Sequence, residues 1–112
     1  MKIIYYITST DKNPTKKFIE SLSEKQQRKV AHILAHITEY GLIPAIPHMK
    51  KLAGTPLWEI RILGQDNIRI FYATIISGSI LLLHGFIKKS QITPAREIQT
   101  ALNRLADWES AS

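Results

Sequence analysis

Charged and protonatable side chains recur in three consecutive apolar segments of the chain. Glu59 and Arg61 belong to WEIRI, Arg69 to IRIFY, and His84 and Lys88 to LHGFIKK. Guanidinium groups grip phosphate oxygens in a planar fork, an ammonium acts as a point charge, and histidine exchanges protons near neutral pH. These residue types suit the binding and cutting of a phosphodiester by side-chain cations.

Cutting RNA without a metal uses the neighbouring 2′-hydroxyl as nucleophile. The protein must deprotonate that hydroxyl, neutralise the phosphate and protonate the leaving 5′-oxygen. We assign Arg61 and Arg69 to the phosphate, and either Lys88 or His84 to proton donation. Glu59 is either the base or the partner that orients Arg61. Three further lysines are expected to hold flanking phosphates: Lys50, Lys51 and Lys89.

Each of these residues also has an ordinary structural interpretation. Glu59 and Arg61 can form a simple ion pair on one strand face, and His84 can be a hydrogen-bonded core histidine. Lys88 and Lys89 end a strand, where lysine commonly protects an edge from pairing with another chain.

The composition limits the classes of protein that need to be considered. With 112 residues, 45% of them hydrophobic, a single domain over residues 1–112 is expected. The absence of cysteine excludes disulfides, thiolate zinc sites and thiol nucleophiles. His32 and His36 have a ligand spacing on a helix but no third ligand, so neither a metal nor another cofactor is expected. No segment is long and apolar enough to be a signal peptide or a membrane span, which indicates a soluble cytoplasmic protein.

The positive charge of the chain is concentrated in one region. The net charge is +6, and residues 41–96 hold seven bases and two acids, a net charge of +5. Such a field attracts nucleic acid, an anionic membrane surface or an acidic protein segment, although a generic solubilising surface is also possible.

The apolar pattern predicts an α+β fold. A strand at residues 2–8 is followed by a helix that starts near Pro14. A second helix begins at a capping box formed by Ser23 and Gln26 and ends at Gly41. Residues 42–56 are expected to form a loop with a short edge strand. Three strands follow, at residues 57–63, 67–76 and 79–88, and then a helix with Thr93 as N-cap and Pro94 in its first position.

The alternation of charged and apolar residues predicts the strand register. A three-residue loop at 64–66 pairs Leu63 with Asn67, and a two-residue turn at 77–78 pairs Ile76 with Ser79. One sheet face is then apolar: Trp58, Ile60, Ile62, Ile68, Ile70, Tyr72, Leu81, Leu83 and Ile87. The other face is basic: Glu59, Arg61, Arg69, Phe71, His84, Phe86 and Lys88.

Two aromatic residues fall on the predicted basic face. Phe71 and Phe86 alternate there with cations, and RNA-binding sheets use rings to stack on unpaired bases. Both rings could stack on RNA bases or pack in the core, and we assign them to RNA contact, whereas Trp58 and Tyr72 are expected in the core.

Five motifs in order resemble the RelE/HigB superfamily, and within it the phage-derived HigB-like toxins. They are KLAG at 51–54, LWEIR at 57–61, IRIFY at 68–72, LLHGFIKK at 82–89 and TPAREI at 93–98. The resemblance implies a RelE-like fold with an N-terminal strand, a helical hairpin, a mainly antiparallel curved sheet and a C-terminal helix. It implies a ribosome-dependent, metal-independent endoribonuclease that cleaves translated mRNA. It also implies a type II toxin–antitoxin system, in which a HigA-like helix-turn-helix antitoxin is the partner.

Two functions remain open from the sequence. One is the ribonuclease toxin, for which the family roles carry over most directly to Arg61, Arg69 and the Lys88-Lys89 pair. The other is a non-catalytic module that binds RNA, the ribosome or an acidic protein. DNA contact is expected only through the antitoxin, which could dock on the basic face or on the N-terminal helices.

Overall fold

A five-stranded mixed sheet organises the fold of the computed structural model, which describes residues 1–62, 64, 67–75 and 78–111. The strands are β1 (Lys2–Tyr5), β2 (Met49–Lys51), β3 (Trp58–Ile62), β4 (Ile68–Ile75) and β5 (Ser79–Ile87). Their order is β1-β5-β4-β3-β2. β1 runs parallel to β5 and the other neighbours are antiparallel. The predicted α+β class is confirmed.

Three α-helices pack around the sheet: α1 (Pro14–Glu20), α2 (Glu24–Tyr40) and α3 (Ala95–Ala111). Asn13 caps α1, and the predicted capping box of Ser23 and Gln26 opens α2 with both reciprocal hydrogen bonds. α2 ends at Gly41, whose φ of 80° favours glycine. A 3₁₀ helix, Ile43–His48, precedes the edge strand β2. α3 begins one residue after Pro94, which differs from the predicted start.

The predicted register of β3 with β4 is confirmed. Arg61 pairs with Arg69 and Glu59 pairs with Phe71. Of the loop predicted to set this register, Gly64 is described, whereas Leu63, Gln65 and Asp66 lie outside the described residues.

The predicted register of β4 with β5 holds for only half of the hairpin. Phe71 pairs with His84 as expected, but Tyr72 pairs with Leu82, so Leu83 is an extra residue in β5. Near the turn, Ile75 pairs with Ser79, which leaves three connecting residues instead of two. Of the predicted turn, Gly78 has a φ of 69°, as the last position of a three-residue loop favours, and Ser77 lies outside the described residues.

The bulge at Leu83 changes the sheet face to which the preceding residues belong. Leu81 and Leu83 pack with Ala73 and Leu105 on the basic side, whereas Leu82 joins the opposite cluster. Their predicted placement on the Trp58 side is therefore wrong, because a shift of one residue inverts every side chain in a strand.

Both faces of the sheet are consequently covered by helices. One hydrophobic cluster joins Ile60, Ile70 and Tyr72 to Val30 and Ile37 of α2. The second cluster places the α3 stripe of Ala101, Leu105 and its neighbours on the half of the basic face nearest the β4–β5 turn. The prediction of one apolar and one fully basic face is wrong for this half. Among the described residues, no helix is both long and apolar enough to cross a bilayer.

α1 packs on β5 through a glycine. A β-carbon at Gly85 would overlap the ring of Phe18, a contact too short for any real side chain. Gly85 therefore sets how closely α1 approaches the sheet, directly beside His84 and Phe86.

We predict that Gly85→Ala lowers the free energy of unfolding by about 1–3 kcal/mol, because the methyl group displaces Phe18 from a packed position. Urea denaturation would measure this. The matched comparison is made in a Phe18→Leu background, where the added methyl group has room and the cost should be much smaller. An equal cost in both backgrounds would contradict the proposed contact.

Candidate active site

Two arginines lie directly opposite one another on the basic sheet face. Arg61 of β3 pairs with Arg69 of β4, and Arg69 in turn pairs with Phe86 of β5. Opposed like charges destabilise a sheet unless another group compensates them. An anion bound between the two guanidinium groups would therefore stabilise this pair of arginines.

A buried carboxylate compensates one of these arginines. Glu59 is 2% exposed and its Oε1 lies 2.6 Å from Nε of Arg69, whose side chain is 13% exposed. The partner of Glu59 is thus Arg69, which is diagonal to it across the strands, and not Arg61 on its own strand. Arg69 Nη1 also donates to the carbonyl of Ile68 at 3.2 Å. The ion pair with Glu59 and the hydrogen bond of Nη1 hold Arg69 in place, while its buried Nε makes no hydrogen bond.

Arg61 is held much more loosely than Arg69. Its Nη2 donates to the carbonyl of Pro47 at 3.5 Å, and its buried Nε has no hydrogen-bond partner. No carboxylate among the described residues forms an ion pair with it. Arg61 therefore retains hydrogen-bonding capacity for an anionic ligand.

A cleft beside Arg69 brings the lysines into the site. It encloses about 420 Å³ and is lined by Asn67, Arg69, Lys88, Lys89, Ser90 and Gln91. The backbone N–H of Lys88 donates to the carbonyl of Asn67 at 2.9 Å, which continues the β4–β5 pairing by one residue. Lys88 follows Phe86 by two positions, so strand alternation directs it to the face of Arg69.

His84 joins the sheet to α3 through both nitrogens of its ring. Nε2 lies 3.1 Å from Oε1 of Glu97, and Nδ1 lies 3.2 Å from Nη1 of Arg104. Arg104 Nη1 also donates to the carbonyl of Leu83 at 2.9 Å. Because a guanidinium only donates, Nδ1 must accept, and the proton of the neutral ring lies on Nε2, facing Glu97.

The pKa of His84 is lowered from its usual value of 6.5. Burial is the largest cause and the charge of Arg104 adds to it, while the hydrogen bond and charge of Glu97 oppose them. The neutral imidazole is therefore the form that this environment favours.

Both phenylalanines predicted to contact RNA are buried. Phe71 is fully buried and Phe86 is 5% exposed, and their rings meet edge to face with centroids 5.1 Å apart. The ring of His84 stacks on Phe86 at 5.6 Å. Phe86 contributes to the wall of a neighbouring cleft of about 540 Å³, but Phe71 has no exposed ring face on which a base could stack.

The two lysines of β2 point to opposite sides of the sheet. Lys50 pairs with Glu59 and shares the basic face, whereas Lys51 pairs with Trp58. The ammonium of Lys51 lies 5.7 Å from the centroid of the Trp58 ring and donates to the carbonyl of Thr55. Lys50 is exposed beside the arginines, while Lys51 is occupied on the other side.

Sequence reasoning missed the two α3 residues that hold His84. Glu97 and Arg104 are seven positions apart, so they lie on one helix face two turns from each other. This spacing could have indicated that Glu97 and Arg104 contact the same group on the sheet. Among the described residues, no three His, Asp or Glu side chains form a group that could hold a metal ion.

Comparison with known families finds a family model that matches most of the chain. The family model described as phage-derived protein Gp49-like matches residues 17–106, which include β2 to β5 and most of α3. No curated protein matches the chain.

We predict that Glu59→Gln lowers the free energy of unfolding by about 3–5 kcal/mol, because it leaves the largely buried guanidinium of Arg69 without its counter-charge. Urea denaturation measures the loss. Glu39→Gln, at an exposed position of α2, is the matched control and should change stability by less than about 0.5 kcal/mol. Equal stability of the two variants would show that the ion pair is dispensable.

We predict a pKa below 6.5 for His84 in an NMR titration. Since the folded value is below the unfolded one, the unfolded chain binds more protons in this window, and His84 lowers stability as the pH falls through 6.5. Arg104→Gln should raise the pKa of His84 because it removes a lowering charge. A pKa above 6.5 in the wild type would mean that Glu97 dominates and that the imidazolium is favoured.

Proposed function

The chain belongs to the phage-derived Gp49-like family, and on this premise we propose that it is the toxin of a type II toxin–antitoxin system. The proposed activity is ribosome-dependent, metal-independent cleavage of translated mRNA, as in the RelE/HigB toxins that its motifs resemble. The proposed partners are mRNA on the ribosome and a HigA-like helix-turn-helix antitoxin, which would make any contact with DNA.

The observation that carries this proposal is the convergence of three cations on one surface. Arg61 and Arg69 oppose each other across β3 and β4, and Lys88 lines the same cleft as Arg69. A phosphodiester that extends from this cleft to Arg61 would supply the counter-charge that Arg61 lacks. Arg69, which Glu59 holds before the substrate arrives, would stabilise the extra negative charge of the transition state without having to reorganise.

Glu59 serves in this proposal as a positioning residue. At 2% exposure it is covered, and its ion pair with Arg69 orients the fork that grips phosphate oxygens. Arg61 supplies the second guanidinium. Lys50 and Lys89 lie at the edges of the face, where they would hold flanking phosphates and ribosomal RNA.

Lys88 is the proton donor that the geometry favours. Its side chain lines the cleft, whereas both ring nitrogens of His84 are occupied by Glu97 and Arg104. His84 then acts through position: it fixes α3 against β5, next to Phe86 and the start of the lysine pair.

One observation favours the alternative of a non-catalytic binding module. The carboxylate of Glu59 is paired and covered, and His84 has no free ring nitrogen, so neither can receive a proton from a 2′-hydroxyl without rearrangement. A purely RNA-binding or ribosome-binding protein needs cations but no general base. Measurement of cleavage separates the two functions.

We predict that expression of the chain alone arrests growth and that Arg61→Ala or Lys88→Ala each reduces mRNA cleavage about 10²- to 10³-fold. The Arg61→Ala and Lys88→Ala variants are preferred to Arg69→Ala, because Arg69→Ala would leave Glu59 buried without a partner. Arg69 is tested by Arg69→Lys, which keeps the positive charge and removes the planar guanidinium. Primer extension on ribosome-bound transcripts measures cleavage, and thermal unfolding confirms that each variant is folded. Lys17→Ala, at an exposed position of α1, is the control for loss of a positive charge.

Unchanged cleavage by the Arg61 and Lys88 variants would contradict the assigned site. Cleavage by the wild type that persists with EDTA, under conditions where ribosomes remain intact, would support a metal-independent reaction. Binding to ribosomes without any new transcript ends would instead favour the non-catalytic module.

A further inference from the structure

A second cationic surface lies on α2, across the sheet from the arginine pair. Lys25, Arg28 and Lys29 follow each other at spacings of three and one, so all three project from the same side of the helix. No described carboxylate forms an ion pair with any of them. They border a cleft of about 680 Å³ whose walls include Ile33 and Ile62.

Exposed apolar side chains continue this surface toward the end of α2. Tyr40 is 60% exposed, and Ile43 and Ile46 of the adjoining 3₁₀ helix are 80% and 59% exposed. These three are half of the six strongly exposed large apolar residues in the described part of the chain. Such a concentration marks an interaction site more often than chance exposure does.

The two halves of this surface are connected through the helix itself. His32 lines the cationic cleft and His36 follows one turn later, where its ring lies 4.8 Å from that of Tyr40. His48, at the end of the 3₁₀ helix, lines the same cleft. The surface is therefore one strip, basic at the start of α2 and apolar at its end.

We infer that this strip is the docking surface for an acidic, amphipathic segment of a partner protein. Carboxylates of the segment would pair with Lys25, Arg28 and Lys29, and its aliphatic side chains would cover Ile43 and Ile46. Amphipathic helices bind proteins in this way, with apolar anchors at helical spacing. Within the proposed function this partner is the antitoxin, and that identification alone rests on the proposed function.

The apolar half favours protein over RNA as the occupant. RNA-binding surfaces combine cations with aromatic or guanidinium planes on which bases stack. Tyr40 offers one such plane, but Ile43 and Ile46 offer none, and a phosphate backbone over these two isoleucines would leave them in water. Only apolar groups of a partner recover the free energy of burying them.

The strip lies across the sheet from the cleft of Arg69 and Lys88, and it meets the candidate active site at Pro47 of the 3₁₀ helix, whose carbonyl oxygen accepts a hydrogen bond from Arg61. Ile62 lines the α2 cleft, while its neighbour Arg61 faces the opposite side, as strand alternation requires. A partner on this strip leaves the cleft of Arg69 and Lys88 open. The partner would then inhibit the toxin by sterically preventing it from entering the ribosome, and not by occupying the cleft.

The test is a binding measurement with the full-length chain that needs no nuclease activity. The probe is a synthetic helical peptide whose binding face carries glutamates in one half of its length and leucines in the other half, as the two ends of the strip require. NMR shifts of the labelled protein report where the peptide binds. We expect shifts at α2 and the 3₁₀ helix. Ile43→Ser with Ile46→Ser, or Arg28→Glu with Lys29→Glu, should each weaken binding about tenfold or more.

Matched controls lie elsewhere on the surface. Ile92 is 79% exposed, close to the 80% of Ile43, so Ile92→Ser tests loss of an exposed isoleucine outside the strip. Lys2→Glu, at an exposed position of β1, tests charge reversal outside it. Both controls should bind within about twofold of the wild type.

Four outcomes would overturn the inference. The strip variants could bind the peptide as tightly as the wild type, or the peptide could fail to bind. The peptide could also shift the NMR signals of the cleft of Arg69 and Lys88 instead of those of the strip. Finally, a short oligouridine could bind the strip more tightly than the peptide. A wild-type chain that is not toxic but shows the expected peptide pattern would refute the proposed function and leave this docking surface standing.

Discussion

The contact between Glu59 and Arg69 determines how the basic face can exist in a folded protein. Two arginines opposed across neighbouring strands repel each other, and one of them is largely buried. Glu59, still more buried, supplies the charge that makes this tolerable and holds one guanidinium in place. Arg61 receives no such compensation. The basic face therefore contains Arg69, which is paired with Glu59, Arg61, which has no counter-charge among the described residues, and lysines at its edge.

His84 and α3 depend on the irregularity of β5. The bulge at Leu83 directs the Leu83 carbonyl and the His84 ring toward Arg104, which binds both. Glu97 completes the attachment from the first turn of α3. α3 covers the turn-proximal half of the basic face and leaves the half with Arg61, Arg69 and Lys88 open, which concentrates ligand binding at one end of the sheet.

The sequence predicts the fold class and the β3–β4 register, because a shift of one residue there would bury arginines in the core. It does not predict the β4–β5 register, because Ile80 to Leu83 are all apolar and all buried, so alternation carries no information on which face each one takes. The burial of Phe71 and Phe86 was missed because alternation along the strands does not show that both rings join the cluster that packs against α3. The partner of Glu59 could not be chosen from spacing, since Arg61 on its own strand and Arg69 diagonally across are both within reach.

The parallel strand at the start of the chain also constrains the order of assembly. Lys2 lies beside Ser79 and Tyr5 beside Leu82, so β1 cannot pair until residues 79–82 have been synthesised. The residues that secure His84 come later still, at positions 97 and 104. During translation β1 therefore stays unpaired until β5 has emerged, and the contacts of His84 form only once α3 has left the exit tunnel.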